Sequence, residues 1–152
     1  MLALAAAIAA LGPFALNGTA AAAEQAAREK LVIESDGKTH TFDIEVARAP
    51  HEKARGLMYR TELKPLTGML FPYEAAEEVQ MWMRNTYIPL DMLFIRADGR
   101  IHRIAARTEP MSDKIIGSNG PVTAVLEIGG GEAARLGIKA GDVVKHGHFK
   151  GE

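Results

Sequence analysis

The chain contains no cysteine. That excludes a disulfide framework, thiolate zinc sites, iron–sulfur clusters and a cysteine nucleophile, so the fold must be held by its core. An excess of charge of one sign is also missing, because 18 lysines and arginines meet 19 aspartates and glutamates for a formal net charge of −1. Nucleic-acid binders carry a basic footprint, so no nucleic-acid partner is expected. Neither G-x-G-x-x-G nor a lysine-bearing phosphate loop occurs, and "IGSNG" at 116–120 breaks the nucleophile-elbow pattern because Ser118 follows Gly117 directly. No cofactor is expected.

What is present begins with "MLALAAAIAALGPFALNGTAAAAEQ", apolar from Leu2 to Leu16, interrupted by Gly12-Pro13 and running into Ala21-Ala22-Ala23 before Glu24. This order is that of a secretory signal peptide over residues 1–23 with a small-residue cleavage site, although no lysine or arginine precedes the apolar run. The stretch is too short and interrupted to span a bilayer comfortably, for which about 20 apolar residues are wanted. The competing readings are a disordered Ala-rich tail and an uncleaved anchor. The expectation is an exported protein, periplasmic or secreted, with no membrane association after cleavage. Cleavage leaves 152 − 23 = 129 residues, and 47% hydrophobic with 24% charged residues are globular values. Residues 24–29, "EQAARE", read as a polar spacer and residues 30–152 as a single β-rich domain.

Along that domain, "KLVIES" and "HTFDIEVA" flank Asp36-Gly37, a strong hairpin signal. Phe42, Ile44 and Val46 share one face of the second run, leaving Asp43 and Glu45 to solvent. "APHEKARGLMYR" reads as a short helix with Pro50 in its first turn and Ala54, Leu57 and Met58 as its apolar stripe. Gly56 inside it implies either a closely passing neighbour or an early end. "GMLF", "VQMWM" and "DMLFIR" read as strands, and Asp98-Gly99 turns the third into "RIHRIAAR". A loop through Pro110 and Gly117 to Pro121 leads to the strand "VTAVLEI". "GGGEAARLGIKAGDVV" then supplies a glycine turn, a short helix, Gly137 as a left-handed cap and a last strand. The sum is a mainly β (α+β) fold, a compact antiparallel barrel-like or curled sheet of about eight short strands with two short helices.

The densest stretch is "MWMRNTYIPLDMLFI" at 81–95, with three methionines and the chain's only tryptophan. Strand alternation puts Met92 and Phe94 opposite Asp91, Leu93 and Ile95, so neither face is purely solvated, as in central strands covered on both sides. "RNTYIP" forms a corner in which Asn85 and Thr86 can bond nearby amides through their side chains and Pro89 fixes its own φ. "GLMYR", "GMLF", this block and "VLEIGGGEAARLGIKAGDVV" together resemble the domain of unknown function 192 family, from about Phe42 to Val144. The resemblance implies a small, mostly β domain found in prokaryotes, often behind an export signal, and brings no established reaction. Its pattern maps onto Arg55, Gly56, Leu57, Met58 and Arg60, onto Met81, Trp82, Met83, Asn85, Thr86, Pro89, Leu90 and Asp91, and onto Glu127 and Gly131. The family often carries lysine where this chain has Arg84, a change that keeps the charge but alters donor geometry.

Polar members of these blocks give the candidate site. If the strands on either side of the corner pair as antiparallel neighbours, Asn85 and Asp91 lie close together at one sheet end. Arg60 and Arg84 then clamp a small polar or anionic ligand, or a peptide or glycan end, against the wall of Trp82, with Glu127 nearby. A purely structural network is the opposing reading, in which Asp91 and Asn85 cap amides and the arginines pair with Asp91 and Glu127. A hydrolase using Asp91 and Glu127 as acid and base is the enzymatic alternative. Met81, Met83 and Met92 could be soft copper ligands, but core packing accounts for them without a metal. His146 and His148 form a two-ligand H-x-H pair, too little for a metal assignment. "GIKAGDVV" is similar to a turn of peptide-binding PDZ domains, without their carboxylate-binding loop. Oligomeric state is not legible in these residues.

Overall fold

The computed structural model describes residues 27–149, so the leader over 1–23, residues 24–26 of the spacer and the last three residues of the tail lie outside the described residues. Seven strands form one sheet in the order β5-β4-β6-β3-β2-β1-β7. β1 (Glu29–Ser35) and β2 (Lys38–Val46) make the expected hairpin, whose Asp36 and Gly37 both take left-handed φ values of 47° and 74°. Two consecutive positive φ angles give the hairpin turn whose twist matches paired strands. Phe42, Ile44 and Val46 point into the core. Asp43 and Glu45 on the other face are not simply solvated, because Glu45 takes both guanidinium nitrogens of Arg60 at 2.7 Å.

Helix α1 (Pro50–Arg55) starts with Pro50, and the Glu52 carboxylate accepts the Arg48 and Ala49 amides at 2.8 and 2.7 Å. These two backbone bonds hold the Glu52 carboxyl below its ordinary range. The helix ends at Gly56, with φ 48° and ψ −134°, where an added Cβ would sit 3.1 Å from the Phe71 ring. Both reasons for a glycine, an early end and a close neighbour, hold at once.

The long strand β3 (Thr67–Met81) joins what the sequence reads as two strands, "GMLF" and "VQMWM". Its pairing with β6 (Ile116–Gly129) shifts register between Pro72 and Glu77 and again between Glu78 and Gln80. These irregularities bend one strand instead of ending it, and they account for seven strands where about eight were expected. β6 itself begins at Ile116, inside the expected loop. β2 and β3 run parallel, the one exception to antiparallel pairing among the named strands. β4 (Leu90–Ile95) pairs with β6 on one side and β5 (Ile101–Ala105) on the other, across the Asp98-Gly99 turn.

Two cores flank the sheet. One gathers Leu31, Ile33, Phe42, Ile44, Leu70, Leu93, Leu126 and Ile128, with Ala133 of α2 (Glu132–Leu136) and Ile138 packed against them. The other, on the α1 side, gathers Leu57, Met69, Phe71, Met83, Leu90, Met92, Phe94 and Val125. Every residue of β4 is buried, the expected signature of a strand covered on both faces. Truncating one of these fully buried leucines to alanine would cost about 2–5 kcal/mol. The sheet curls until β7 (Val143–Lys145) meets the β4–β5 turn, through a bridge from Arg100 to Val143 and a 2.7 Å bond from the Val144 amide to Gly99 O. It is a curled half-barrel with two short helices.

A cavity between α1 and the sheet

Corner residues 82–89 do not join neighbouring strands, because β6 lies between β3 and β4. The premise that would bring Asn85 and Asp91 together is thereby removed. Asn85 takes a left-handed φ of 55°, and its carbonyl accepts the Tyr59 amide at 2.9 Å. The Thr86 hydroxyl donates to Arg84 O at 3.2 Å rather than accepting from an amide, and Thr86 O accepts the Met111 amide at 3.0 Å. Tyr59 and Met111 are themselves left-handed, with φ of 64° and 62°. Three non-glycine residues in that region are thus tied into one loop cluster by backbone hydrogen bonds, an arrangement that surrounding structure must enforce. The Ile88–Pro89 bond is trans.

Asp91 is fully buried and spent on backbone. Its Oδ1 accepts the amides of Arg107 and Gly131, both at 2.8 Å, and its Oδ2 accepts the Ala133 amide at 2.9 Å. The carboxylate therefore ties the glycine turn and the first turn of α2 to β4, with each charge-assisted bond contributing about 1.5–3 kcal/mol. It caps amides, as the structural reading of Asp91 has it. The arginines do not pair as that reading has them: Arg60 sits on Glu45 of β2, and Arg84 donates to Asp113 at 2.6 Å while lying 5.8 Å from the Trp82 ring centre.

Glu127 is different. It stands on β6 opposite Met69 of β3 and Met92 of β4, 4% exposed, and faces the α1 side of the sheet. Asp91 is paired with Ile128 and faces the other side. Burial alone pushes the Glu127 carboxyl up to about 8, with no neighbouring charge or hydrogen bond contributing to the shift. The group is thus largely protonated at neutral pH.

Glu127 lines a cavity of about 290 Å³ whose walls come from α1 and the turn after it, from β3 and from the corner. Phe71, Tyr73, Met81, Leu57 and Met58 make it apolar, and Trp82, 44% exposed, stands at its mouth. Lys53 and Arg55 of α1 also line it. The Lys53 ammonium donates to Pro72 O and lies 4.5 Å from the Tyr73 ring centre. Burial, helped by Glu77 and Glu127, pushes the Tyr73 phenol up to about 12. Of the six residues expected at a site, the cavity brings together Trp82 and Glu127. Arg84 touches its edge through Trp82, whereas Arg60, Asn85 and Asp91 do not line it. A molecule in this cavity meets Glu127 but not Asp91. Lys53 and Tyr73 carried no motif that singled them out.

The remaining motifs are engaged structurally. Met83 and Met92 lie within the α1-side core, with Met81 packed against it. His146 Nε2 lies 3.0 Å from Glu29 Oε2, and His148 Nε2 2.9 Å from Thr123 O.

With this geometry in view, the chain matches, over residues 31–146, the family model DUF192, described as an uncharacterized ACR. A crystal structure from Sinorhizobium meliloti 1021, described as that of a candidate transcription regulator, is 42% identical with a TM-score of 0.78, covering 80% of this chain and 95% of that one. A protein of unknown function from Novosphingobium aromaticivorans DSM 12444 is 44% identical with a TM-score of 0.76, covering 78% and 85%. Comparison with curated proteins gave no match.

Proposed function

The chain belongs to the domain of unknown function 192 family, and from its cavity we propose that it is a small-ligand-binding domain whose ligand enters beside Trp82 and ends against the Glu127 carboxyl. The observation that carries this reading is a carboxyl group that lines an apolar cavity and has no hydrogen-bond partner among the described residues. A carboxyl group in apolar surroundings costs free energy unless it is hydrogen-bonded, and leucine or methionine would fill that strand position without the cost. A bound ligand supplies the missing partner. The cavity volume is at the small end of ligand sites, which favours a compact molecule over a long peptide or glycan. The Ala-rich segment 1–23 supports a site of action outside the cytoplasm, periplasmic or secreted. Ligand sensing also accommodates the description of the Sinorhizobium relative as a candidate regulator.

Thermal unfolding of residues 24–152 against a library of periplasmic metabolites, short peptides and glycan fragments tests the proposal. A compound that binds the native state alone at about 100 times its Kd adds roughly 2.7 kcal/mol. Glu127→Leu should abolish that shift while leaving the unliganded protein folded. A library that moves neither the wild type nor the variant, or a hit indifferent to Glu127→Leu, would count against the site.

A further inference from the structure

We propose that the ligand of this cavity is a neutral, flat molecule with an amide-type edge, a hydrogen-bond donor beside an acceptor, that pairs with both oxygens of Glu127. This deepens the binding proposal above and rests on it. The argument begins with what the carboxyl can offer. A protonated carboxyl presents one donor and one acceptor side by side, whereas a carboxylate only accepts. Enclosure by Met69 and Met92 on the neighbouring strands, with no basic group bonded to it, favours the neutral form of Glu127. Its complement is therefore an acceptor–donor edge, as in a carboxamide, lactam or amidine.

Competing chemistries fit the walls less well. An organic cation would have to pass Lys53 and Arg55, the two charged residues of α1 that line the cavity, and Glu127 is the one carboxylate among the lining residues available to receive it. A carboxylate ligand can accept one hydrogen bond from the protonated Glu127, but its second oxygen then meets a carbonyl oxygen, and burying its charge is expensive. A hydrocarbon leaves Glu127 as unpaired as it is without ligand. Beyond the edge, Phe71, Tyr73, Met81 and Trp82 offer flat and flexible apolar surface suited to a ring. Tyr73 of β3 also lines the cavity, and its phenol, pushed up to about 12, stays neutral. Of the other polar side chains lining the cavity, Lys53 is engaged on Pro72 O and the Tyr73 ring and Thr86 on Arg84 O, while Arg55 and the Gln80 carboxamide share the lining with Glu127.

A matched series isolates the edge chemistry: benzamide, benzoate, benzylammonium and toluene share one ring and differ in a single substituent. Affinities are read at pH 6.5 from Trp82 fluorescence, since this is the chain's one tryptophan, and repeated by ligand-observed NMR. Benzamide should bind at least ten times more tightly than the other three. Glu127→Gln, whose carboxamide keeps a donor beside an acceptor, should hold benzamide within about threefold of wild type. Glu127→Leu should lose benzamide at least tenfold while keeping toluene within threefold. Tightest binding by benzylammonium, or toluene equal to benzamide, overturns the amide-edge assignment but leaves a binding cavity standing. Failure of all four at millimolar concentration removes the binding proposal and this inference with it.

Discussion

Asp91 and Glu127 lie on adjacent strands one register step apart, Asp91 opposite Ile128 and Glu127 opposite Met92, with their carboxyl groups on opposite faces of the sheet. One is a carboxylate bonded to three backbone amides, the other a carboxyl with no hydrogen bond to any of the described residues. Removing each should therefore do opposite things.

Asp91→Asn places an NH2 against amides that need an acceptor. Two or more of the three charge-assisted bonds are weakened or lost, so stability should fall by at least about 3 kcal/mol. Urea denaturation followed by circular dichroism checks this, with the midpoint dropping at unchanged slope. A midpoint within error of wild type would show that α2 is held by something else.

Glu127 ties stability to pH in a definite direction. Its carboxyl is ordinary at about 4.5 in the unfolded chain and raised to about 8 when folded, so the native state holds the extra proton between these values. Stability contributed by the protonated group is full below pH 4.5, declines as pH rises towards 8 by at most about 1.4 kcal/mol per unit, and is lost above. Glu127→Gln should flatten that decline and leave the variant more stable than wild type at pH 9. Denaturant midpoints measured every half unit from pH 5 to 9 distinguish the two curves.

Gly56 takes φ 48° and ψ −134°, a region open essentially to glycine, and faces the Phe71 ring at 3.1 Å from where a Cβ would be. Gly56→Ala should cost about 1–3 kcal/mol and narrow the cavity. Calorimetry gives the first effect and the affinity of any compound identified above the second.

Arg84 and Asp113 are each more than half exposed as side chains, despite a 2.6 Å contact. Arg84→Ala should change stability by less than about 1 kcal/mol, since such pairs are screened by solvent. A double-mutant cycle with Asp113→Ala measures the pair directly, and a larger coupling would require the loop at 107–115 to depend on it.

Local turn chemistry was readable in advance. Asp36-Gly37, Asp98-Gly99 and Gly137 each demand backbone angles that few residues adopt, and all three turn where the residues say they should. Pairing across the sheet was not readable, because the shifts that carry β3 past Pro72 are set by β6, more than forty positions later in the chain. The same insertion of β6 removes the strand pairing on which the closeness of Asn85 and Asp91 was premised. Glu127 was half legible: a single acid inside "VTAVLEI" reads as a buried carboxyl, and alternation assigns it the face of Val125 rather than of Leu126. Lys53 and Tyr73 reach the cavity only because α1 packs over β3, a contact without local trace.

The closing of β7 onto β1, with Val32 beside Lys145, and onto the Gly99 turn joins the start of the described chain to its end. Pairings between such distant residues cost loop-closure entropy before any contact rewards it, so they form slowly and late. During synthesis, β1 and β2 must wait with one edge unsealed until residue 145 has emerged. A nascent chain of this topology cannot seal the outer edge of β1 for as long as its C-terminal segment is withheld.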